Sequence, residues 1–220
     1  MSVMIQVSEL HFSTEDGITV LEDVHLHVER GDLVFIVGPS SSGKSLLLGL
    51  LGAHISPQHG QILVYGRNVA RLSPQKCLGL RRQIGFLTQG FSPLPRPVLD
   101  NVLFKLRALG DFREKAEEKA LYALETVGLL REKAADPSEL TSLNRVRLGL
   151  ALAICDDPLL LLLDDLFNEL SAEEISEVCT ILGQLRSRGM TILASARGPL
   201  PQLREKHRVL ALVDGRVVES

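Results

Sequence analysis

The spacing of apolar and polar residues changes several times along the chain, and each change marks an element. Ile5 to Phe12 alternates apolar with polar residues, the period of a half-buried strand. Val20 to Val28 alternates again, with Val20, Val24, Leu26 and Val28 apolar. Glu15-Asp16-Gly17 and Glu29-Arg30-Gly31-Asp32 supply the turns beside these runs. Leu33 to Val37 is continuously apolar and stops at Gly38, and Lys44 opens an apolar, helix-favouring run to Leu51. Pro57 to Gly60 breaks the chain, and Gln61 to Tyr65 reads as another strand. The front of the chain is therefore expected to be a β-rich layer wrapped round a strand–loop–helix unit.

The second half changes character. Within Leu80 to Gln89 a short buried strand ends at the polar Gln89. Ser92-Pro-Leu-Pro-Arg-Pro97 must be extended, because proline fixes φ and disfavours helix in the residue before it. Val98 to Lys133 is rich in Leu, Ala, Glu, Lys and Arg at helical spacing, broken at Gly110-Asp111. A polar loop and another helix follow, up to Ile154. Pro158 leads a run of five leucines into Asp164-Asp165, which fits a strand buried on both faces. Glu173 to Arg188 is an amphipathic helix, Gly189 to Ser195 a buried strand, and Val209 to Val218 a hairpin turning at Asp214-Gly215. Strands alternating with helices predict a mostly parallel sheet covered on both faces, hence an α/β fold.

Composition narrows the class. The chain of 220 residues is 45% hydrophobic, enough for a substantial core, yet only 4% aromatic with no Trp, so aliphatics must fill it. A net charge of -3 gives no electrostatic case for nucleic acid. The three cysteines, Cys77, Cys155 and Cys179, show neither paired nor metal-type spacing, which suits a reducing compartment. The longest apolar run is far short of the ~20 residues of a membrane span. A soluble, cytoplasmic protein is expected, with any membrane role exercised through a partner.

The chemistry concentrates at Gly38-Pro39-Ser40-Ser41-Ser42-Gly43-Lys44-Ser45-Leu46, a G-x-x-x-x-G-K-S sequence with a strand before it and a helix after it. Glycines let the backbone curl so that several N–H groups point at one spot, which is also a helix N-terminus. Lys44 adds a charge on a flexible stem, and the Ser45 hydroxyl can reach a magnesium ion. The segment reads as a cradle for the β- and γ-phosphates of ATP or GTP; the plainer alternative is a small-residue turn that joins strand to helix. In a parallel sheet functional groups gather at C-terminal strand ends, so Asp164 can face the magnesium held by Ser45.

Order and spacing along essentially the whole chain resemble the nucleotide-binding domain of ABC transporters. The phosphate loop, Gln89, the helical stretch, the acid-terminated strand and the Asp-Gly hairpin all fall where that family has them. Leu80-Arg-Arg-Gln-Ile-Gly85, Val98-Leu-Asp-Asn-Val102, Leu106 to Gly110 and Val127-Gly-Leu-Leu130 are similar to the cell-division (FtsE) and lipoprotein-releasing (LolD) group within it. The resemblance implies a P-loop NTPase core with a RecA-like, mostly parallel sheet (residues 1–90 and 155–220), an N-terminal antiparallel layer and an inserted helical subdomain (residues 91–154). It implies Mg-ATP bound between two such domains packed head to tail, as homodimer or heterodimer. Gln89, with Ser45 and Asp164, would serve the magnesium. The segment from Gln89 to Pro97 would also contact an integral-membrane, permease-like subunit (FtsX-like or an exporter) at the inner face of the cell membrane.

The same resemblance exposes departures. The family's Leu-Ser-Gly-Gly-Gln signature aligns with Leu140-Thr141-Ser142-Leu143-Asn144, anchored by Arg147. Both glycines are gone; Leu143 is expected to face an anion, and a required positive φ there would add about 1–2 kcal/mol of strain. The catalytic Glu after Asp164 is Asp165, retracted by one methylene, and the switch His aligns with Arg197, which cannot act as a base at neutral pH. The adenine-stacking aromatic aligns near Thr14, with Phe12 two residues earlier as its stand-in. The expectation is an ATP-binding subunit coupling binding, and at most slow hydrolysis through Asp165 and Arg197, to a membrane partner. The alternative is a non-hydrolysing ATP-dependent scaffold or the degenerate half of a heterodimer.

Overall fold

A computed structural model describes residues 2–198, 200, 203 and 206–219. Strands β1 (Val3–Ser13), β2 (Thr19–Glu29), β4 (His59–Val64) and β5 (Arg67–Asn68) form an antiparallel sheet in the order β2-β1-β4-β5. Ile5 opposes Val28 and Val7 opposes Leu26, so the alternation seen in the sequence sets one apolar face inward. Glu9 and Asp23, at φ 50 and 50, sit where the β1–β2 register shifts. The break expected at Pro57–Gly60 is shorter, because β4 already begins at His59. Gly60 makes this possible: at φ +85 it lies against the bulged Glu9, whose carbonyl oxygen would be 2.2 Å from any Cβ.

The second sheet holds β3 (Leu33–Val37), β6 (Ile84–Leu87), β7 (Leu160–Leu163), β8 (Thr191–Ala196), β9 (Arg208–Val213) and β10 (Arg216–Glu219) in the order β10-β9-β3-β8-β7-β6. Its pairs are parallel except β9–β10, which turn back through Asp214 (φ 48) and Gly215 (φ 75), a primed turn suited to the strand twist. Glu22 N donates to Gly215 O at 2.9 Å and ties the two sheets together. On β3, Val34 and Ile36 join the core under the antiparallel sheet, whereas Leu33 and Phe35 join the core on the opposite face. That division is the period-two geometry of a strand buried on both sides.

Helix α1 (Lys44–Leu51) follows β3 and buries Leu47, Leu48, Leu50 and Leu51 between the sheets. The opposite face is covered by α3 (Val98–Leu109), α4 (Arg113–Thr126), α5 (Ser142–Ile154) and α6 (Ala172–Ser187). The Gly110 break separates α3 from α4 as the sequence implies, with Gly110 at φ +104 ending α3. Ser171 and Glu174 form a capping box that starts α6. Helix α2 (Pro74–Arg81) has no counterpart in the sequence reading, which found only the strand within Leu80 to Gln89. Leu80 is its single buried residue, so it carries no apolar stripe to detect. The stretch 91–154 contains α3, α4 and α5 and, among the described residues, no strand.

Candidate nucleotide-binding site

The strand order places the C-terminal ends of β3, β8 and β7 side by side, and the chain's small and charged residues converge there. After β3 the loop passes close beneath β9: a Cβ on Gly38 would lie 2.3 Å from the Leu212 carbonyl oxygen, so only glycine fits. Ser41 (φ 64) and Gly43 (φ 99) take left-handed backbone, which curls the loop into the start of α1. Lys44 is the first residue of that helix and is 7% exposed. Its Nζ donates to Gly38 O (2.9 Å), Pro39 O (2.7 Å) and Ser42 Oγ (3.3 Å). Burial lowers the Lys44 pKa, opposed by the charges of Asp165 and Asp164.

Asp164 follows β7 and is 8% exposed. Its N–H donates to Leu87 O on the neighbouring strand at 2.8 Å. Its Oδ1 accepts from Ser45 Oγ at 3.0 Å and from Ser195 Oγ at 2.8 Å. Ser195, fully buried on β8, also accepts the Asp165 N–H at 2.8 Å, so one hydroxyl positions both acids. Asp165 sits at φ 51, a region that aspartate tolerates better than most residues. Its Oδ2 lies 2.6 Å from Arg197 Nη2, an ion pair in which the acid side chain is 7% exposed and the arginine 44%. The charges touch without an N–H aligned on that oxygen.

A cavity of about 400 Å³ is lined by Ser40, Ser41 and Gly43 to Leu46 of the loop, by Asp164 and Asp165, and by Gln89 and Arg197. Gln89 is exposed, just beyond β6. Phe12 is half-buried and packs against the core beneath the antiparallel sheet, and Val20 lines the cavity wall. The alternation argument for Phe12 does not carry as far as Thr14, because β1 ends at Ser13 with a register shift after Phe12. A second cavity, about 260 Å³, shares Gln89, Asp164 and Asp165 and reaches Ser142 and Arg145 at the start of α5.

The expectation for Leu143 needs correction. Thr141 is an ordinary N-cap at φ -62 whose Oγ1 accepts the Asn144 N–H at 3.2 Å. No residue from Leu140 to Asn144 has a positive φ, so the expected strain is absent. Leu143 is partly buried and packs against the helical core. Arg147, the anchor of that alignment, donates to Glu177 Oε2 at 2.7 Å and to Asn144 Oδ1 at 3.3 Å. Two residues on the cavity or beneath it escaped the sequence reading. Val20 was read only as a strand residue, and Ser195 only as the end of a buried strand. The signal for Ser195 is a hydroxyl in an otherwise apolar strand, one step from where β8 meets the acid-terminated β7.

A parallel sheet with this loop, lysine, serine and buried acid is a P-loop nucleotide-binding fold. The family model for ABC transporters matches residues 21–168, and the chain belongs to that family as an ATP-binding subunit. The cell-division ATP-binding protein FtsE of Streptococcus pneumoniae is 28% identical over 218 residues, covering 99% of this chain and 95% of that protein. A phosphate import ATP-binding protein, PstB 2 of Natronomonas pharaonis, is 33% identical over 214 residues, 93% of this chain and 75% of its own length. A dimeric ATP-binding cassette solved in a post-hydrolysis state with ADP and Pi superposes with a TM-score of 0.84 at 25% identity, over 97% of this chain and 96% of that one. The structure of cbiO1 from Clostridium perfringens shares the fold, with a TM-score of 0.90 at 22% identity over 99% and 88% of the two chains. Domains of this family bind ATP, usually with magnesium, dimerise, and pair with membrane permease subunits.

Proposed function

We propose that this chain couples the binding of Mg-ATP, with slow hydrolysis at most, to an FtsX-like or exporter-type membrane subunit. The observation that carries the reading is the meeting of Ser45 Oγ and Asp164 Oδ1 at 3.0 Å beside Lys44, at the floor of one cavity. A hydroxyl and a carboxylate are hard oxygen donors of the kind magnesium selects, and the cationic loop suits a polyphosphate. Ser45 and Asp164, with Gln89 on the rim, would hold the metal; when bound it supplies charge neutralisation on the phosphates. Gly38 to Leu46 would hold the phosphates, with Lys44 turning from its own loop carbonyls to the ligand.

The hydrolytic side is weaker in this reading. Asp165 is a shortened acid already paired with a cation, and Arg197 supplies no base. A misplacement near 1 Å costs on the order of 100-fold in rate. The segment from Gln89 to Pro97 would meet the membrane subunit. Asn101, 3% exposed, fixes that loop by accepting from Leu94 N (2.8 Å) and donating to the carbonyls of Leu94 (3.2 Å), Arg96 (2.8 Å) and Pro97 (3.2 Å). Among the described residues no helix is long and apolar enough to cross a membrane, so attachment to the inner face of the membrane runs, in this reading, through the partner. A second reading, the degenerate half of a heterodimer, is favoured by the Leu143 side chain standing half-buried against the core where the family has a glycine.

Calorimetric titration with Mg-ATP, with phosphate release followed on the same sample, tests the reading. Saturable binding lost in Lys44→Ala, with little release, supports it. Robust turnover, lost in Lys44→Ala, refutes the claim of impaired hydrolysis.

A further inference from the structure

We propose that a cavity at the end of the parallel sheet away from the phosphate loop binds a small α-amino acid with an aliphatic side chain, its carboxylate held by Arg188 and its ammonium by Asp157. The inference is independent of the nucleotide reading. The cavity, about 190 Å³, lies where α4 meets the turns that lead into β7 and β8. Drug-sized sites occupy about 300–1,000 Å³, so this one suits a smaller ligand. Buried Ile154 and Leu185 line its interior with Met190, and its rim carries a cation, an acid and two hydroxyls. An apolar interior with a few convergent polar groups is the ordinary build of a small-molecule site.

Arg188 caps α6, and Gly189 at φ +93 turns the chain towards β8. The Arg188 Nη1 donates to Tyr122 Oη at 3.0 Å and to Thr126 Oγ1 at 3.3 Å, both on α4, and the guanidinium lies 5.8 Å from the Tyr122 ring centroid. These contacts hold the long side chain against the cavity without neutralising it, since no carboxylate among the described residues pairs with Arg188. Each hydroxyl accepts from the arginine and keeps its own proton to donate. The remaining guanidinium donors form a planar fork that matches a carboxylate. Asp157 takes a left-handed φ of 49 in the turn before Pro158, where its N–H donates to Ile154 O at 2.9 Å. It stands exposed on the same cavity. An acid and a cation that share a cavity without joining in an ion pair, over an aliphatic interior, complement a zwitterion with an apolar side chain. A plain carboxylic acid would bring a like charge to Asp157, and a plain amine would bring one to Arg188.

The test uses L-leucine, 4-methylpentanoate and isopentylamine, which share a branched chain and differ in their charged groups. Ligand-observed NMR titrates each into the full chain, unmodified and as Arg188→Gln and Asp157→Asn. Asparagine suits a position at φ 49 because it shares aspartate's tolerance of left-handed backbone. Thermal melting checks that each variant is folded. Leucine should saturate with a dissociation constant of about 1 mM or tighter. The acid should bind about three- to fivefold more weakly, the worth of an exposed ion pair, and the amine about tenfold more weakly, the worth of charge-assisted hydrogen bonds. Arg188→Gln should weaken leucine about tenfold. Asp157→Asn should bring leucine to the level of 4-methylpentanoate and leave 4-methylpentanoate no weaker. Saturating Mg-ATP should not displace leucine. Absence of saturation, equal affinity for the three probes, or unchanged leucine binding in Arg188→Gln overturns the site. Tighter binding of 4-methylpentanoate than of leucine overturns the role of Asp157 and with it the amino-acid assignment. Displacement by Mg-ATP places the ligand at the phosphate loop and overturns the proposal.

Discussion

Ser195 is the residue whose removal tests the architecture of the site most directly. Its hydroxyl donates to Asp164 Oδ1 at 2.8 Å and accepts the Asp165 N–H at 2.8 Å, inside a fully buried strand. Ser195→Ala takes away one hydrogen bond to a buried carboxylate, of the class worth roughly 1.5–3 kcal/mol, and leaves one backbone N–H without its acceptor. The expected cost is about 2–4 kcal/mol. Urea unfolding of the full chain measures it as a midpoint lowered by about 1–2 M at unchanged slope. Ser45→Ala is the control, because Ser45 also donates to Asp164 Oδ1, at 3.0 Å, but is exposed, so water can replace it. Its cost should stay below about 1 kcal/mol. If Ser195→Ala costs no more than Ser45→Ala, the claim that one buried hydroxyl positions both acids is wrong.

Three further perturbations probe the surroundings. Gly85→Ala places a Cβ 2.4 Å from the Ala153 carbonyl oxygen and 2.8 Å from Leu161 Cδ1, so β6 must part from α5. A loss of about 3 kcal/mol in chemical unfolding is expected, at the upper end of overpacking costs. Asn101→Ala frees the Phe91–Pro97 loop, which should become the first site of limited proteolysis while Mg-ATP affinity stays unchanged; intact resistance to cleavage would show that the prolines alone hold the loop. Asp111 is held below the ordinary carboxylate pKa chiefly by its hydrogen bond to Lys119. Its folded pKa lies below the unfolded value near 3.8, so the pair stabilises the protein above that pH and the benefit is lost as pH falls through the lower folded value. Asp111→Asn should flatten that limb of the stability–pH curve, and an unchanged limb would remove the pair from the account.

Elements with strong periodicity were legible in the sequence. The ends of β3 coincide with the apolar run Leu33–Val37, and the buried β7 with the leucines before Asp164. The phosphate loop was legible because glycine spacing encodes backbone curvature locally. What escaped depends on partners distant in sequence. Helix α2 rests on one buried leucine, and Gly60 belongs to a strand only because Glu9 bulges opposite it. Ser195 gains its role from strands 31 residues apart that the fold places side by side. Phe12 stands between two register shifts of β1, which alternation alone does not reveal. Leu143 was read as an intruder at an anion, although its spacing with Val146, Leu150 and Ile154 is the apolar stripe of α5.

The two departures from the family pattern differ in physical kind, and the difference bears on how the subunit would pair. Leu143 in place of glycine is accommodated by the fold: the half-buried side chain packs against the core and the helix keeps a proper cap, while close approach of backbone N–H groups to an external phosphate would be lost. The exchange at Asp165 and Arg197 creates a contact between an acid and a cation of one cavity. In the proposed reading the first change would weaken what this chain offers to a nucleotide held by a second subunit, and the second would change what it does with its own. In a homodimer both handicaps fall on every site. In a heterodimer they separate, and this chain's phosphate loop faces an intact signature while its own α5 faces the partner's nucleotide. Asymmetric pairing therefore leaves each site with one handicap where self-pairing leaves each with two. Mixing this chain with a family member bearing the intact signature should raise ATP affinity above that of the chain alone, and an unchanged affinity would favour the homodimer.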